Sequence, residues 1–332
     1  MKPAGPASPA TDDLPARLVE RFSAALARLR PAGGRIGLAV SGGPDSMAML
    51  VLAHAAIPGE FEVASVNHGL RPEAVRECSL VEQACSVRRI ACTVLEVEVG
   101  AGNLQHEART ARYAALANWA VDRKLGYLAT AHQADDQAET LVMRLNRGSG
   151  VAGLAGVRET GVLEDFEELT LIRPVLTFRR CELARVVGAA SVEIAQDPSN
   201  QDDSFERVRI RKALAQADWL DPVALAKSAA HLAEAEETLI YVTSMIWSDR
   251  VTCEEGRIIF RHIGWRAIHL RIIERAVSLL GSPPRGSDVA RLLNRLEAGE
   301  GGNVGGVLVT SQYSPEQGLR WIFQPEPPRR AG

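Results

Sequence analysis

Residues 36–50 read "IGLAVSGGPDSMAML", with two serines, two glycines, a proline and an aspartate between two apolar runs. A strand, such a turn and then a helix make a geometry that holds phosphate. Gly42 and Gly43 reach backbone angles closed to other residues, so successive N–H groups can converge on one anion. The helix that follows adds its free N–H groups and the positive end of its dipole. Ser41 and Ser46 bring hydroxyls toward phosphate oxygens, so the run Ser41, Gly42, Gly43, Pro44, Asp45, Ser46 is expected to bind a nucleotide. Asp45 alone would repel a polyphosphate; a Mg²⁺ ion between them removes the conflict, and Asp45 is assigned to that ion. A tight turn with an Asp or Ser helix cap is the plainer reading, but a cap does not call for two serines and two glycines in register. The loops G-x-x-x-x-G-K-[ST] and G-x-G-x-x-G are both absent. Without a loop lysine, transfer of a γ-phosphoryl group is disfavoured.

Further along, "VNHGLR" (66–71) puts His68 and Arg71 where a strand ends, the place where open α/β sheets bind ligands; His68 is assigned to the nucleotide, and a simple turn is the alternative. "EARTARY" (107–113) sets Arg109 and Arg112 on one helix face, suited to a phosphate or carboxylate or to plain solvation. In "TAHQADDQAET" (130–140), His132, Asp136 and Glu139 fall at i, i+4 and i+7 with Asp135 beside them. Acids packed so closely weaken a helix and imply a cation, Mg²⁺ or an amine; a solvated acidic helix start is the alternative. "RLNRGSG" carries Arg147 out of that helix, and "SFERVRIRKAL" offers Arg207, Arg209, Arg211 and Lys212, able to neutralise RNA phosphates or to sit on a charged surface helix.

These residues need elements to position them. Over the first two hundred residues, apolar runs such as "RIGLAV", "FEVASVNH", "CTVLEVEV", "YLATAH" and "LTLIRPVL" alternate with helical patterns. That alternation predicts an α/β fold with a doubly wound, mostly parallel sheet covered on both faces. Beyond about 215 the chain turns to long Ala- and Leu-rich helical stretches, then to "GGNVGGVLVTSQYSPEQGLRWIF", which reads as a hairpin or small sheet. The expected organisation is a flexible tail and leading helix over 1–30, a nucleotide-binding catalytic domain over 31–217, a smaller and mainly helical C-terminal domain over 218–324, and a disordered tail over 325–332. Among 332 residues no apolar run approaches the ~20 that span a bilayer. Five cysteines without a C-x-x-C pair argue against a zinc site or a disulfide framework and for a reducing cytoplasm. A net charge of −3 argues against wholesale wrapping of nucleic acid while allowing a local RNA surface.

The pattern S-G-G-x-D-S resembles the PP-loop of the ATP pyrophosphatases, which cleave ATP between its α and β phosphates. Taken in order, SGGPDS, VNHGLR, EARTARY, TAHQADDQAET, RGSG, IRPVL and DPSN resemble the tRNA(Ile)-lysidine synthase family over roughly residues 35–215. The resemblance implies an adenine nucleotide alpha hydrolase-like PP-loop domain and a two-step reaction. ATP adenylates carbon 2 of the wobble cytidine in an isoleucine tRNA with a CAU anticodon, and the ε-amine of free L-lysine then displaces AMP to form lysidine. It implies ATP and Mg²⁺ as cofactors and a tRNA-binding C-terminal domain. Asp45, Arg112, His132 and Asp136 become the catalytic set, and Asp135, Asp136 and Glu139 the pocket for the lysine ammonium. Arg147, Arg207, Arg209 and Arg211 become tRNA contacts. A homodimer stays open, and no membrane partner is expected. The chain departs from the family's usual Arg-Asn pair at Arg207–Val208. Competing readings are a tRNA thiolase, which usually needs cysteines or an Fe–S cluster, and a non-catalytic nucleotide- or RNA-binding module, which would have no use for the acid cluster.

Overall fold

In a computed structural model the described residues are 15–69, 73–97, 104–163, 165–195, 202–316 and 318–327. Arg71, the DPSN segment (197–200) and, of the chain ends singled out above, residues 1–14 and 328–332 lie outside them. The chain divides into two compact units, up to Ala233 and from Glu234 onward.

The first unit opens with α1 (Ala16–Leu29), whose Leu18, Phe22, Leu26 and Leu29 recur at helical spacing and are buried. There follow β1 (Ile36–Ala39), α2 (Pro44–Ala56), β2 (Phe61–Asn67), α3 (Glu73–Arg88), β3 (Cys92–Glu96), α4 (Leu104–Asp122) and β4 (Tyr127–Ala129). Then come α5 (Ala134–Asn146), the short α6 (Val151–Leu154), β5 (Thr160–Leu163), β6 (Phe166–Ile172), α7 (Arg180–Ala189), α8 (Glu206–Gln216) and the start of α9 (Pro222–Arg250). The sheet order is β3-β2-β1-β4-β6-β5. Its pairs are parallel except β5 with β6. Because β1 sends one connection toward β2 and the sheet continues on its other side through β4, the strand order reverses there. The crevice outside the carboxyl ends of β1 and β4 is therefore where a ligand is expected.

The core explains the order. Every residue of α2 from Met47 to Ala53 is buried, the mark of a helix enclosed by neighbours on all sides rather than one lying at the surface. On β1, a Cβ at Gly37 would fall 2.6 Å from the Trp119 ring; glycine lets α4 pack directly on the central strand.

Two elements differ from the sequence-based expectation. "LTLIRPVL" stops being a strand at Ile172, since Pro174 cannot donate to a ladder. The antiparallel edge strand β5 was not expected, because its four residues alternate between exposed and half-buried and give no apolar run.

The second unit has its own sheet of β7 (Val251–Glu254), β8 (Arg257–Arg261), β9 (Gly302–Val304), β10 (Val307–Ser314) and β11 (Gly318–Pro325), in the order β7-β8-β11-β10-β9. All its pairs are antiparallel. Helices α10 (Arg266–Leu280) and α11 (Gly286–Glu297) supply Ile272, Ile273, Leu293 and Leu296 to a core shared with Phe260, Trp321 and Phe323. The C-terminal hairpin was expected. The β7–β8 hairpin was not, so the unit is less purely helical than its sequence suggests.

Candidate active site

The loop after β1 is shaped by its own side chains. Gly42 has φ +79°, and a Cβ there would stand 2.9 Å from the carbonyl oxygen of Glu77. Only glycine meets both demands. Ser46 is buried; its Oγ donates to the Gly43 carbonyl at 2.9 Å, accepts from the Ser41 N–H at 3.2 Å and lies 3.3 Å from Ser41 Oγ. Ser46 thus holds the loop in shape, and the exposed Ser41 is the hydroxyl better placed to meet a ligand. Gly43 is the N-cap of α2 and Pro44 its first residue, with no side-chain cap. The N–H groups of the first turn are therefore left to an incoming anion.

This loop borders a cavity of about 390 Å³ at the switch point, lined also by His68, Arg112, Tyr113, Thr130, His132 and Asp136. Residues from four separate segments, at 41–46, 68, 112 and 132–136, meet there. Asp45 has one carboxylate oxygen, Oδ1, buried without a partner. Burial, and then the nearby Asp136 and Asp135 carboxylates, push its pKa up to about 6 against the pull of Arg180 and a Gln133 hydrogen bond. His68 likewise has a buried Nδ1 without a partner. The Nδ1 of His132 lies 3.0 Å from Thr130 Oγ1. Burial, followed by the positive charges of Arg173, Arg109, Arg112 and Arg207, lowers the His132 pKa to about 3. His132 is therefore neutral at neutral pH, and what it offers a ligand is a hydrogen bond, not a charge.

His132 precedes α5, and Gln133 caps it. Gln133 Oε1 accepts from the Asp135 N–H at 2.7 Å, while Asp136 Oδ2 accepts from the Gln133 N–H at 3.2 Å. The cations opposite the acids are arginines of α7 and α8. Glu139, 1 % exposed, takes Arg180 Nη2 at 2.9 Å, Arg207 Nε at 2.7 Å and Arg211 Nε at 2.8 Å. Burial raises the Glu139 carboxyl, but the Arg211 and Arg207 hydrogen bonds and the Arg180 charge outweigh it and leave the pKa at about 2. Asp136 Oδ1 accepts from Arg207 Nη2 at 2.8 Å, and burial raises its pKa. Asp135 Oδ2 accepts from the Arg180 backbone N–H at 2.8 Å.

Of the four arginines read as RNA contacts, Arg207 and Arg211 thus turn inward to acids. Arg147 pairs with Glu206, and Arg209 donates to the carbonyls of Asp203 and Ser204. Val208 is buried, so the position that departs from the usual Arg-Asn pair packs into the interior. A second cavity of about 430 Å³ borders Asp135, Glu139, Arg179, Arg180, Arg211 and Asp221. Among the described residues no group of three or more His, Cys, Asp or Glu side chains could hold a metal by itself.

A family model described as a PP-loop domain matches residues 16–218. A protein of Novosphingobium aromaticivorans named tRNA(Ile)-lysidine synthase is 44% identical over 296 residues, which cover 86% of this chain and 89% of its own. The chain belongs to the tRNA(Ile)-lysidine synthase family. A second member, from Zymomonas mobilis, is 34% identical over 307 residues, 90% of this chain and 91% of its own. Among solved structures, the U34-tRNA thiolase NcsA from Methanococcus maripaludis aligns with a TM-score of 0.54 at 16% identity, covering 67% of this chain and 80% of that one. That likeness is one of fold.

Within this lysidine synthase family member, sequence reasoning missed Gln133, Tyr113, Arg173 and Arg180. Arg180 did leave a trace, since two adjacent arginines at the start of a helix oppose its dipole and so call for acids nearby. Tyr113 and Gln133 lie inside quoted motifs but carry no charge to draw attention.

Proposed function

We propose that this chain makes lysidine at the wobble cytidine of a CAU-anticodon isoleucine tRNA, as a ligase that forms a carbon–nitrogen bond. The reading rests on one observation above all: Asp45, Asp136, Arg112 and His132, carried on separate elements, converge on one switch-point cavity beside the phosphate loop. In the first step the carbon-2 oxygen of cytidine attacks the α-phosphorus of ATP, the α–β P–O bond breaks, and pyrophosphate leaves. In the second, the lysine ε-amine attacks carbon 2 and AMP departs with that oxygen.

The first-turn N–H groups and Ser41 hold the phosphates. Mg²⁺ fits here, since it is usually bound by one or two carboxylates together with substrate phosphates, and Asp45 presents a buried, unpartnered oxygen. The ion would supply charge neutralisation between Asp45 and the nucleotide. Arg112 and the neutral His132 donate hydrogen bonds to charge developing on the activated base and the departing AMP. Glu139 is saturated by arginines, so Asp136, whose pKa is raised, is the better acceptor for the proton that the lysine ammonium must lose. The second cavity offers both signs of charge, as the zwitterionic end of an amino acid requires: Arg179, Arg180 and Arg211 for its carboxylate, Asp135 and Asp221 for its α-ammonium group.

The test is to incubate the protein with ATP, Mg²⁺, radiolabelled lysine and CAU-anticodon isoleucine tRNA. Label in the tRNA, lost on omitting ATP, is expected. No label, with AMP released equally well without lysine, would sink the reading.

A further inference from the structure

One buried charge beside the cavity has no use in the mechanism above. Arg173 is 7 % exposed, and among the described residues no carboxylate pairs with it. Its Nη1 donates to the Arg158 carbonyl at 2.5 Å, which orients the guanidinium but leaves its charge uncompensated. Its Nε is buried with no partner. Such a group is expensive to bury unless something else brings the counter-charge.

Its surroundings say what that would be. Arg173 follows Ile172, whose carbonyl accepts from the Thr130 N–H at 3.0 Å, so it stands beside the chain segment leading to His132. Of the charges acting on His132, Arg173 is the strongest, followed by Arg109 and Arg112. The guanidinium carbons of Arg109 and Arg112 lie 5.0 and 5.4 Å from the centroid of the Tyr113 ring, and the Tyr113 hydroxyl is itself buried without a partner. Three arginines and a phenol, with no acid paired to any of them among the described residues, suit an anion. Arg112 and Tyr113 line the same cavity as the phosphate loop, yet they stand on α4, across from it.

We propose that Arg173, Arg109 and the Tyr113 hydroxyl form a second phosphate subsite at the edge of this cavity. Its preferred occupant is a phosphodiester of the RNA acceptor next to the reacting base, because the loop after β1 already provides for the nucleotide and Arg109 is exposed to an incoming chain. The pyrophosphate leaving group is the other source of the same chemistry. The choice of RNA rests on the function proposed above.

Arg109→Gln, Arg173→Gln and Tyr113→Phe should be compared with the wild-type chain for binding of the isoleucine tRNA across a salt series, and for inhibition by added pyrophosphate. Each arginine variant is expected to bind tRNA about tenfold more weakly, the loss of one charge-assisted contact. The log–log salt slope should flatten by about 0.7 to 0.9 for each phosphate lost. If Arg173→Gln does not fold, the exposed Arg109 and the Tyr113 hydroxyl still carry the test. Weaker pyrophosphate inhibition with unchanged tRNA binding would overturn the RNA assignment in favour of the leaving group, and no change toward either ligand would overturn the subsite. A wild-type chain that fails to modify the tRNA refutes the proposed function instead, and direct binding of pyrophosphate to the wild-type and variant chains then decides whether the subsite exists.

Discussion

Asp45 is held in a state that costs the folded chain. Its pKa near 6 lies above the ordinary aspartate value, so the folded protein takes up a proton that the unfolded chain would still lack at the same pH. The ionised carboxylate therefore opposes folding above about pH 6, and the opposition fades as pH falls from there toward the unfolded value. Asp45→Asn should stabilise the chain at pH 8 by about 1–2 kcal/mol and by about half as much at pH 5, while abolishing ATP-dependent AMP formation. Urea unfolding at the two pH values checks this; an equal change at both would refute the account. With Asp45 proposed to hold Mg²⁺, the same titration predicts an acid limb near pH 6 in kcat/KM, where the protonated carboxyl of the free enzyme would lack the charge the ion needs. His132 adds no inflection between pH 5 and 8, since its pKa lies at about 3. Replacing it by Asn should lower kcat by about 100-fold or more and leave the acid limb where it is. A limb that moved with the substitution would assign the titration to His132.

At the scale of elements, the most buried of the carboxylates that join α5 to α7 and α8 is Glu139, at 1 % exposure. Glu139 accepts from Arg180, Arg207 and Arg211, so three helices share one polar node. Removing one partner from such a node leaves charges buried without compensation, at about 3–5 kcal/mol. Glu139→Gln should therefore destabilise the chain by about that amount, and it should do so more at pH 7 than near pH 3. The sign follows from the depressed pKa: the contribution is complete above the unfolded glutamate value and is lost as pH falls toward about 2. Thermal unfolding of the variant across that range is the measurement. This node also marks the limit of what the sequence could tell. The phosphate loop was legible because its six residues are contiguous and act locally. Glu139 looked like a ligand for an amine because its arginine partners lie 41 to 72 positions away, and no local pattern announces a pairing between helices.

On the scale of the whole chain, the alternating strands and helices of the first unit were legible because a parallel sheet writes apolar runs into the sequence. The second unit hid part of its sheet. Its β7–β8 turn is Glu255–Gly256, with φ +44° and +77°, a geometry that Asn-Gly or Asp-Gly would have signalled and Glu-Gly does not. Once formed, that hairpin brings Ile258 and Phe260 to a core of Phe323, Trp321, Ile272 and Leu293. This core shares no residue with the clusters built around α2 and around Trp119 in the first unit. Each unit therefore has its own reason to stay folded, and damage to one core should be felt first where it is made. Phe323→Ala, at a fully buried side chain, should cost about 3–5 kcal/mol. Calorimetry is expected to show one transition moving down while the other holds. ATP binding, which depends on the loop after β1, should persist between the two temperatures. A single transition that shifts as a whole, taking ATP binding with it, would mean that the two cores unfold as one cooperative body.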